Sequence, residues 1–138
     1  LVAVGGGGLI AGCAAAVGEK IKIVAVETEG TPTLHEALKA GKPVDVAISG
    51  IAADALGARR IGAPNFEIAR KLVRDSVLVN DDAVRAAQRA LWDELRVVAE
   101  PAGATGLAAL ICGAYRPVAG EHVATLICGA NTDPASVV

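Results

Sequence analysis

The sequence predicts an α/β domain in which helices flank a mainly parallel, twisted sheet. Short apolar runs rich in β-branched residues alternate with helix-like segments along the chain. The first run ends in four consecutive glycines, and a helix-like segment follows them at once. With 138 residues, 53% hydrophobic and 20% charged, the chain has room for one domain and too little polarity for intrinsic disorder.

The first part of the chain predicts two buried strands joined by a helix. Residues 1–4 are apolar, and residues 21–26 (IKIVAV) are β-branched, as buried strands usually are. Between them, residues 9–17 are small and apolar, which is typical of a helix packed closely on a sheet. Together these segments predict a right-handed βαβ unit.

Turn and capping residues delimit the later elements. A helix at Thr33–Ala40 should end at Gly41, and Asn80 should cap the longest helix, which leaves Gln88 off its core-facing side. The remaining predicted elements are a mostly irregular segment at 44–62, a helix at 66–73, strands at 76–79 and 122–128, and a strand-turn-helix unit at 96–112.

Charge and cysteine content exclude several classes of function. A net charge of -2 gives no basic surface for nucleic acid, and no apolar run is long enough to span a membrane. The three cysteines show neither metal nor disulfide spacing, which favours a reducing, cytoplasmic setting. Because the chain has no Met and Leu1 already lies in a strand pattern, we expect further residues upstream.

The four glycines predict a phosphate-binding turn at residues 5–8. Glycines are needed where backbone N–H groups converge on an anion, and the following helix adds its positive N-terminal end. A tight turn that only lets helix and strand pack closely is the structural alternative. A Walker-type site is excluded, because no Gly-Lys-Ser/Thr sequence follows the glycines.

The glycines alone leave the phosphate ligand open. Gly6, Gly8 and Ala11 fit G-x-G-x-x-A, and Glu27 ends the next predicted strand 21 residues after Gly6. This is the dinucleotide-binding fingerprint with its acidic ribose contact. A dinucleotide-binding oxidoreductase domain is therefore one hypothesis.

Four segments together resemble another family. VAVGGGGLIAG, VAVETEG, VAEPAGATGLAAL and LICGANTD occur in the order and spacing of fold type II pyridoxal-phosphate enzymes, which have a tryptophan synthase β-like fold. The chain is most similar to the threonine/serine dehydratase (ammonia-lyase) group, over essentially all 138 residues. The resemblance implies that residues 1–138 form a single α/β segment, the C-terminal part of a catalytic domain that binds pyridoxal 5'-phosphate.

The resemblance also implies roles for individual residues. Glu100 corresponds to an acid beside the cofactor ring, and Cys128 to the Ser or Cys that faces the pyridine nitrogen. A neutral thiol makes the ring a milder electron sink, which favours β-elimination. A solvated or helix-capping Glu100 and a simply buried Cys128 are the alternatives. The residues that would hold the cofactor phosphate are Gly5, Gly6, Gly7, Gly8 and Leu9.

A cation site is a further expectation from the resemblance. Some relatives bind a divalent cation through the equivalents of Glu27, the carbonyl of Thr31 and an acid two residues later. Thr33 stands at that third position, so a divalent or monovalent cation would lose one charged ligand here. We interpret His35 and Asp54 as surface residues.

The implied activity is conversion of L-threonine or L-serine to a 2-oxo acid and ammonia. The family's Schiff-base Lys lies in a Ser-x-Lys-x-Arg context upstream, and none of the lysines here has that context, so no catalytic residue is assigned in this chain. We expect the chain alone to be inactive and the full-length protein to be a homo-oligomer, a dimer or tetramer. A serine racemase, a threonine synthase-like lyase and a non-catalytic relative are alternatives.

Overall fold

A computed structural model describes residues 1–137 of the chain. Its strands are β1 (Val2–Ala3), β2 (Ile23–Thr28) and β3 (Val73–Val79). Its helices are α1 (Gly8–Val17), α2 (Thr33–Ala40), α3 (Ala53–Leu56), α4 (Ala63–Leu72), α5 (Asp81–Leu95) and α6 (Pro101–Ile111). None of the helices in this range is long and apolar enough to cross a membrane.

The three strands form a parallel sheet in the order β1-β2-β3, as the alternating pattern predicted. All six residues of the central strand β2 are buried, because helices cover both faces of the sheet. Its alternate residues enter different cores: Val24 and Val26 pack with α5 and α6, whereas Ile23 and Ala25 pack with α1, α2 and α4. The fold is therefore a three-layer α/β/α arrangement.

One predicted helix cap and one predicted helix end are confirmed. The Asn80 side chain accepts a hydrogen bond from the N–H of Ala83 at 2.8 Å and caps α5. Helix α2 ends at Gly41, which has a φ of 69° and lies in the left-handed region that favours glycine. Gln88, in contrast, is buried, and its Nε2 donates to the carbonyl of Ala99 at 2.8 Å.

Two predicted strands are not formed. Residues 122–128 run beside Leu1, whose amino group donates to Ala124 O at 2.7 Å and whose carbonyl accepts from Leu126 N at 3.3 Å. This pairing is too short to make a strand. Residues 96–100 are also irregular: Arg96 has a φ of 57° and closes the end of α5, Val97 N donates back to Leu91 O, and Glu100 N donates to Gly129 O.

Candidate functional site

The glycine turn lies at the carboxyl end of β1 and leads directly into α1. Gly7 is the N-cap of α1, with a φ of 87° that only glycine adopts readily. A Cβ built on Gly7 would lie 2.8 Å from Ile61 Cδ1, so the turn also packs tightly on its inner side. Gly6, Gly8 and Leu9, in contrast, are exposed. The turn therefore has one packed side and one open side.

The glycine turn and the first turn of α1 carry unpaired backbone donors. Within residues 1–137, no acceptor is hydrogen bonded to the N–H groups of residues 5–10, and the first helical bond runs from Ala11 N to Gly7 O at 3.0 Å. A Cβ built on Gly8 would meet no heavy atom within 4 Å. Free donors, open space and the positive end of a helix are the features that bind a phosphate.

A second group of predicted residues lies where residues 128–129 meet the start of α6. Glu100 donates its backbone N–H to Gly129 O at 3.1 Å, and its carboxylate lies directly against Gly129. The Glu100 side chain makes no capping hydrogen bond to α6, although Glu100 is its N-cap residue. A Cβ on Gly129 would overlap this carboxylate unless the Glu100 side chain took another rotamer.

The thiol of Cys128 is neutral at ordinary pH. Partial burial of the sulfur, and then the nearby negative charge of Glu100, raise the pKa of the Cys128 thiol. Its Sγ lies 4.0 Å from the carbonyl oxygen of Ala102, in the first turn of α6. Cys128 is thus a weak hydrogen-bonding group without charge.

Small apolar contacts connect the two groups. Ala3, Leu56 and Ala102 belong to one buried cluster, so the end of β1 packs close to the start of α6. A Cβ on Gly5 would lie 3.3 Å from the backbone of Leu56. Because Cys128 Sγ contacts Ala102 in turn, these buried residues connect the glycine turn with Cys128 and the start of α6.

Glu27 has a different environment from the one predicted. It is fully buried at the end of β2, and its two carboxylate oxygens accept the N–H groups of Leu34 and His35, each at 2.7 Å. Burial raises the pKa of Glu27 to about 7, although these backbone hydrogen bonds act in the opposite direction. The carboxylate thus binds the N-terminal end of α2, where the free N–H groups favour it.

The cation site at Glu27 and Thr31 stays a prediction. The carbonyl of Thr31 accepts the N–H of Thr33 at 3.0 Å, and the oxygens of Glu27 accept backbone N–H groups. Among residues 1–137, no cluster of three or more His, Cys, Asp or Glu side chains could hold a metal ion.

Two residues gain roles that the sequence did not indicate. The Nδ2 of Asn65 donates to Gly6 O at 2.9 Å, across 59 residues of sequence. The half-buried His35, expected at the surface, has its Nδ1 3.0 Å from Ser76 Oγ on β3. Neither contact has a local sequence signal, because each depends on how distant elements pack.

Most of this chain matches a known protein family and several known enzymes. Residues 1–129 match the family described as "Pyridoxal-phosphate dependent enzyme". The chain is 40% identical over 139 residues to phenylserine dehydratase of Ralstonia pickettii, and 39% identical over 136 residues to the biosynthetic L-threonine dehydratase of Salmonella typhimurium. These alignments include 99% and 96% of this chain but only 43% and 26% of the two relatives.

Solved structures of similar proteins superimpose closely on this chain. The processed form of threonine deaminase isoform 2 from Solanum lycopersicum superimposes with a TM-score of 0.87 and 31% identity, over 99% of this chain and 41% of that one. Maize serine racemase gives a TM-score of 0.85 and 31% identity, over 99% of this chain and 43% of that one. The chain thus spans less than half the length of the proteins that it resembles.

Proposed function

The chain belongs to the family of pyridoxal-phosphate-dependent enzymes, and from this membership we propose that it forms part of a lyase acting on β-hydroxy-α-amino acids. In this proposal residues 1–138 are the C-terminal part of the catalytic domain, and the full-length protein converts L-threonine or L-serine to a 2-oxo acid and ammonia. The observation that carries the proposal is a glycine turn with unpaired N–H groups at the start of α1, next to the open space at Gly8.

The residues of the turn suit the cofactor phosphate. The unpaired N–H groups of residues 5–9 are donors, and the open side at Gly8 leaves space that any larger residue would fill. The N-terminal end of α1 adds a favourable potential for a dianion. We assign phosphate binding to Gly5, Gly6, Gly7, Gly8 and Leu9.

The Cys128 thiol and the Glu100 carboxylate suit the pyridine ring of the cofactor. Pyridoxal phosphate supplies an electron sink that stabilises negative charge at the α-carbon of an amino acid. A neutral Cys128 does not hold a proton on the ring nitrogen as a carboxylate would, which favours elimination of a β-substituent over chemistry that needs a full carbanion. The Glu100 side chain lies against Gly129 and would flank the ring.

The relatives support the substrate class. Threonine, serine and phenylserine, which occur in the names of similar proteins, share a hydroxyl on the β-carbon and differ in the group beyond it. Loss of that hydroxyl as water, followed by hydrolysis that releases ammonia, leaves a 2-oxo acid in each case. We therefore propose the shared β-hydroxy-α-amino acid framework as the recognised chemistry.

A dinucleotide site is disfavoured by the position of Glu27. In that hypothesis Glu27 would bind a ribose hydroxyl, which requires an accessible carboxylate. Glu27 is fully buried, and both of its oxygens accept N–H groups from α2. A titration of the full-length protein should therefore show binding of pyridoxal phosphate and none of NAD.

The test of the activity uses the full-length protein with L-threonine, L-serine and L-phenylserine as separate substrates. We expect 2-oxo acid and ammonia in equal amounts from at least one of them, measured by a hydrazone assay and an ammonia electrode. Replacing Gly6 by Leu should abolish this turnover by blocking the turn. Undiminished turnover in Gly6→Leu would contradict the assignment of the phosphate site.

A racemase is the second candidate, because maize serine racemase shares the fold closely. Chiral chromatography of the same L-serine reactions distinguishes the two activities. A lyase consumes L-serine without accumulating the D-enantiomer, whereas a racemase accumulates D-serine in proportion to the L-serine that is lost.

A further inference from the structure

Asn65 holds the glycine turn from its packed side. It lies in the first turn of α4, and its Nδ2 donates to the carbonyl oxygen of Gly6 at 2.9 Å. The N–H of Gly62 donates to the same oxygen at 3.4 Å. The start of α4 therefore contributes two donors to one carbonyl of the turn.

This contact fixes the direction of the next backbone N–H. The peptide that joins Gly6 to Gly7 is trans and planar, so its C=O and its N–H point in opposite directions. When the oxygen of Gly6 is held toward α4, the N–H of Gly7 must point away from α4. That N–H is one of the unpaired donors of the turn.

Packing supports the same orientation. A Cβ on Gly7 would lie 3.0 Å from Asn65 Cβ and 2.8 Å from Ile61 Cδ1, so both side chains rest directly on the backbone of Gly7. Consecutive glycines have many accessible backbone conformations, and a free turn would lose that freedom each time it bound an anion. A side chain that selects one conformation beforehand removes part of this entropic loss.

We propose that Asn65 is a positioning residue of the phosphate cradle, whose amide orients the Gly6–Gly7 peptide so that the N–H of Gly7 faces the bound phosphate. The inference rests on the proposed function, since it presupposes that the phosphate of the cofactor occupies the turn. Asn65 itself does not touch the cofactor, because it lies on the side of the peptide opposite to the free donors.

The test compares two ligands that differ only in the phosphate. Full-length apo-protein is titrated with pyridoxal phosphate and with pyridoxal, and binding is followed by absorbance. Asn65→Leu removes the donor at similar volume, and Asn65→Asp keeps the shape but replaces the amide by a carboxylate that repels the carbonyl of Gly6. Glu67→Gln, an exposed change on the same helix, is the matched control.

We expect Asn65→Leu to weaken binding of pyridoxal phosphate about fivefold to tenfold, the effect of one misdirected hydrogen bond, and Asn65→Asp to weaken it further. Binding of pyridoxal should stay within about twofold of wild type, because pyridoxal makes no use of the cradle. The ³¹P resonance of the bound cofactor should shift in both variants. Glu67→Gln should match wild type with both ligands.

Two results would overturn the inference while leaving the proposed function intact. The first is wild-type affinity for pyridoxal phosphate in both Asn65 variants. The second is an equal loss for both ligands, which would mark Asn65 as a general structural residue. If Asn65→Leu does not fold, Asn65→Asp decides the comparison alone. Failure of the wild-type protein to bind pyridoxal phosphate would instead refute the proposed function.

Discussion

Replacement of Gly8 by alanine should have opposite effects on folding and on cofactor binding. Gly8 is the first residue of α1, and a Cβ there would meet no heavy atom within 4 Å. Alanine restricts the unfolded chain and favours helix, so the change should stabilise the apo-protein. The same Cβ would occupy the open side of the glycine turn, where we place the phosphate.

The expected magnitudes follow from these two environments. Gly-to-Ala changes at compatible helical positions stabilise proteins by about 0.5 to 1 kcal/mol. Loss of a hydrogen bond to a charged group weakens an interaction by about 1.5 to 3 kcal/mol, which corresponds to a fall in cofactor affinity on the order of tenfold to a hundredfold. The Gly8→Ala variant should therefore be more stable than the wild-type protein and should bind the cofactor more weakly.

Two other glycines provide the matched comparison. Gly12 lies in the same helix and also has no neighbour within 4 Å of a built Cβ, so Gly12→Ala should stabilise the protein similarly and leave binding unchanged. Gly7→Ala should destabilise it by about 2 to 4 kcal/mol, because a left-handed residue is strained and its Cβ would overlap Ile61.

The assay combines chemical denaturation of the full-length apo-protein with absorbance titration of pyridoxal phosphate. Among these variants, only Gly8→Ala should show a higher free energy of unfolding together with a larger dissociation constant for pyridoxal phosphate. Wild-type affinity in Gly8→Ala would refute our placement of the phosphate, since the open side of the turn would then be unused. A destabilised Gly8→Ala would refute the structural reasoning about space at Gly8.

Three further predictions concern Glu27, Gly129 and Asn80. Because burial raises the pKa of Glu27 from its ordinary 4.5 to about 7, the stability present below pH 4.5 should be lost as pH rises through 7, by on the order of 3 kcal/mol. Denaturation at several pH values should show this slope in wild type and not in Glu27→Gln, and Ca²⁺ would abolish the slope only if Glu27 binds the cation. Gly129→Ala should turn the half-exposed Glu100 side chain to another rotamer at little cost in stability, and should weaken cofactor binding because the acid would no longer flank the ring; unchanged cofactor affinity would contradict the role proposed for Glu100. Asn80→Ala should lower the free energy of unfolding by about 1 kcal/mol through loss of the cap on α5, without changing cofactor affinity, and a change in affinity would count against a purely structural cap.

Local patterns in the sequence predicted most of the fold. The strand-glycine-helix unit, the bounds of α2 and the cap at Asn80 all depend on residues close together in the chain, and each is confirmed. Residues 122–128 have a strand-like composition, but within residues 1–137 their backbone pairs only with Leu1, and a strand requires a ladder of bonds with a neighbour. The amino-acid composition of a segment indicates that it could form a strand, but it does not show whether a neighbouring strand is available to pair with it.

The site was predictable only in part. The glycine turn has its own sequence signal, whereas the fixed orientation of that turn depends on Asn65, which is distant in the chain. The sequence predicts Glu27 as a ligand for a ribose or a cation. Its observed partners are backbone N–H groups of α2, and the turn between β2 and α2 brings them to its carboxylate. Side-chain composition gives no sign of a backbone partner.

The most direct test is a crystal structure of the full-length protein with pyridoxal phosphate bound. We predict phosphate oxygens within about 3 Å of at least three backbone nitrogens of residues 5–9, with the N–H of Gly7 among the donors. A phosphate bound by other residues, with the N–H groups of the glycine turn facing solvent, would contradict it.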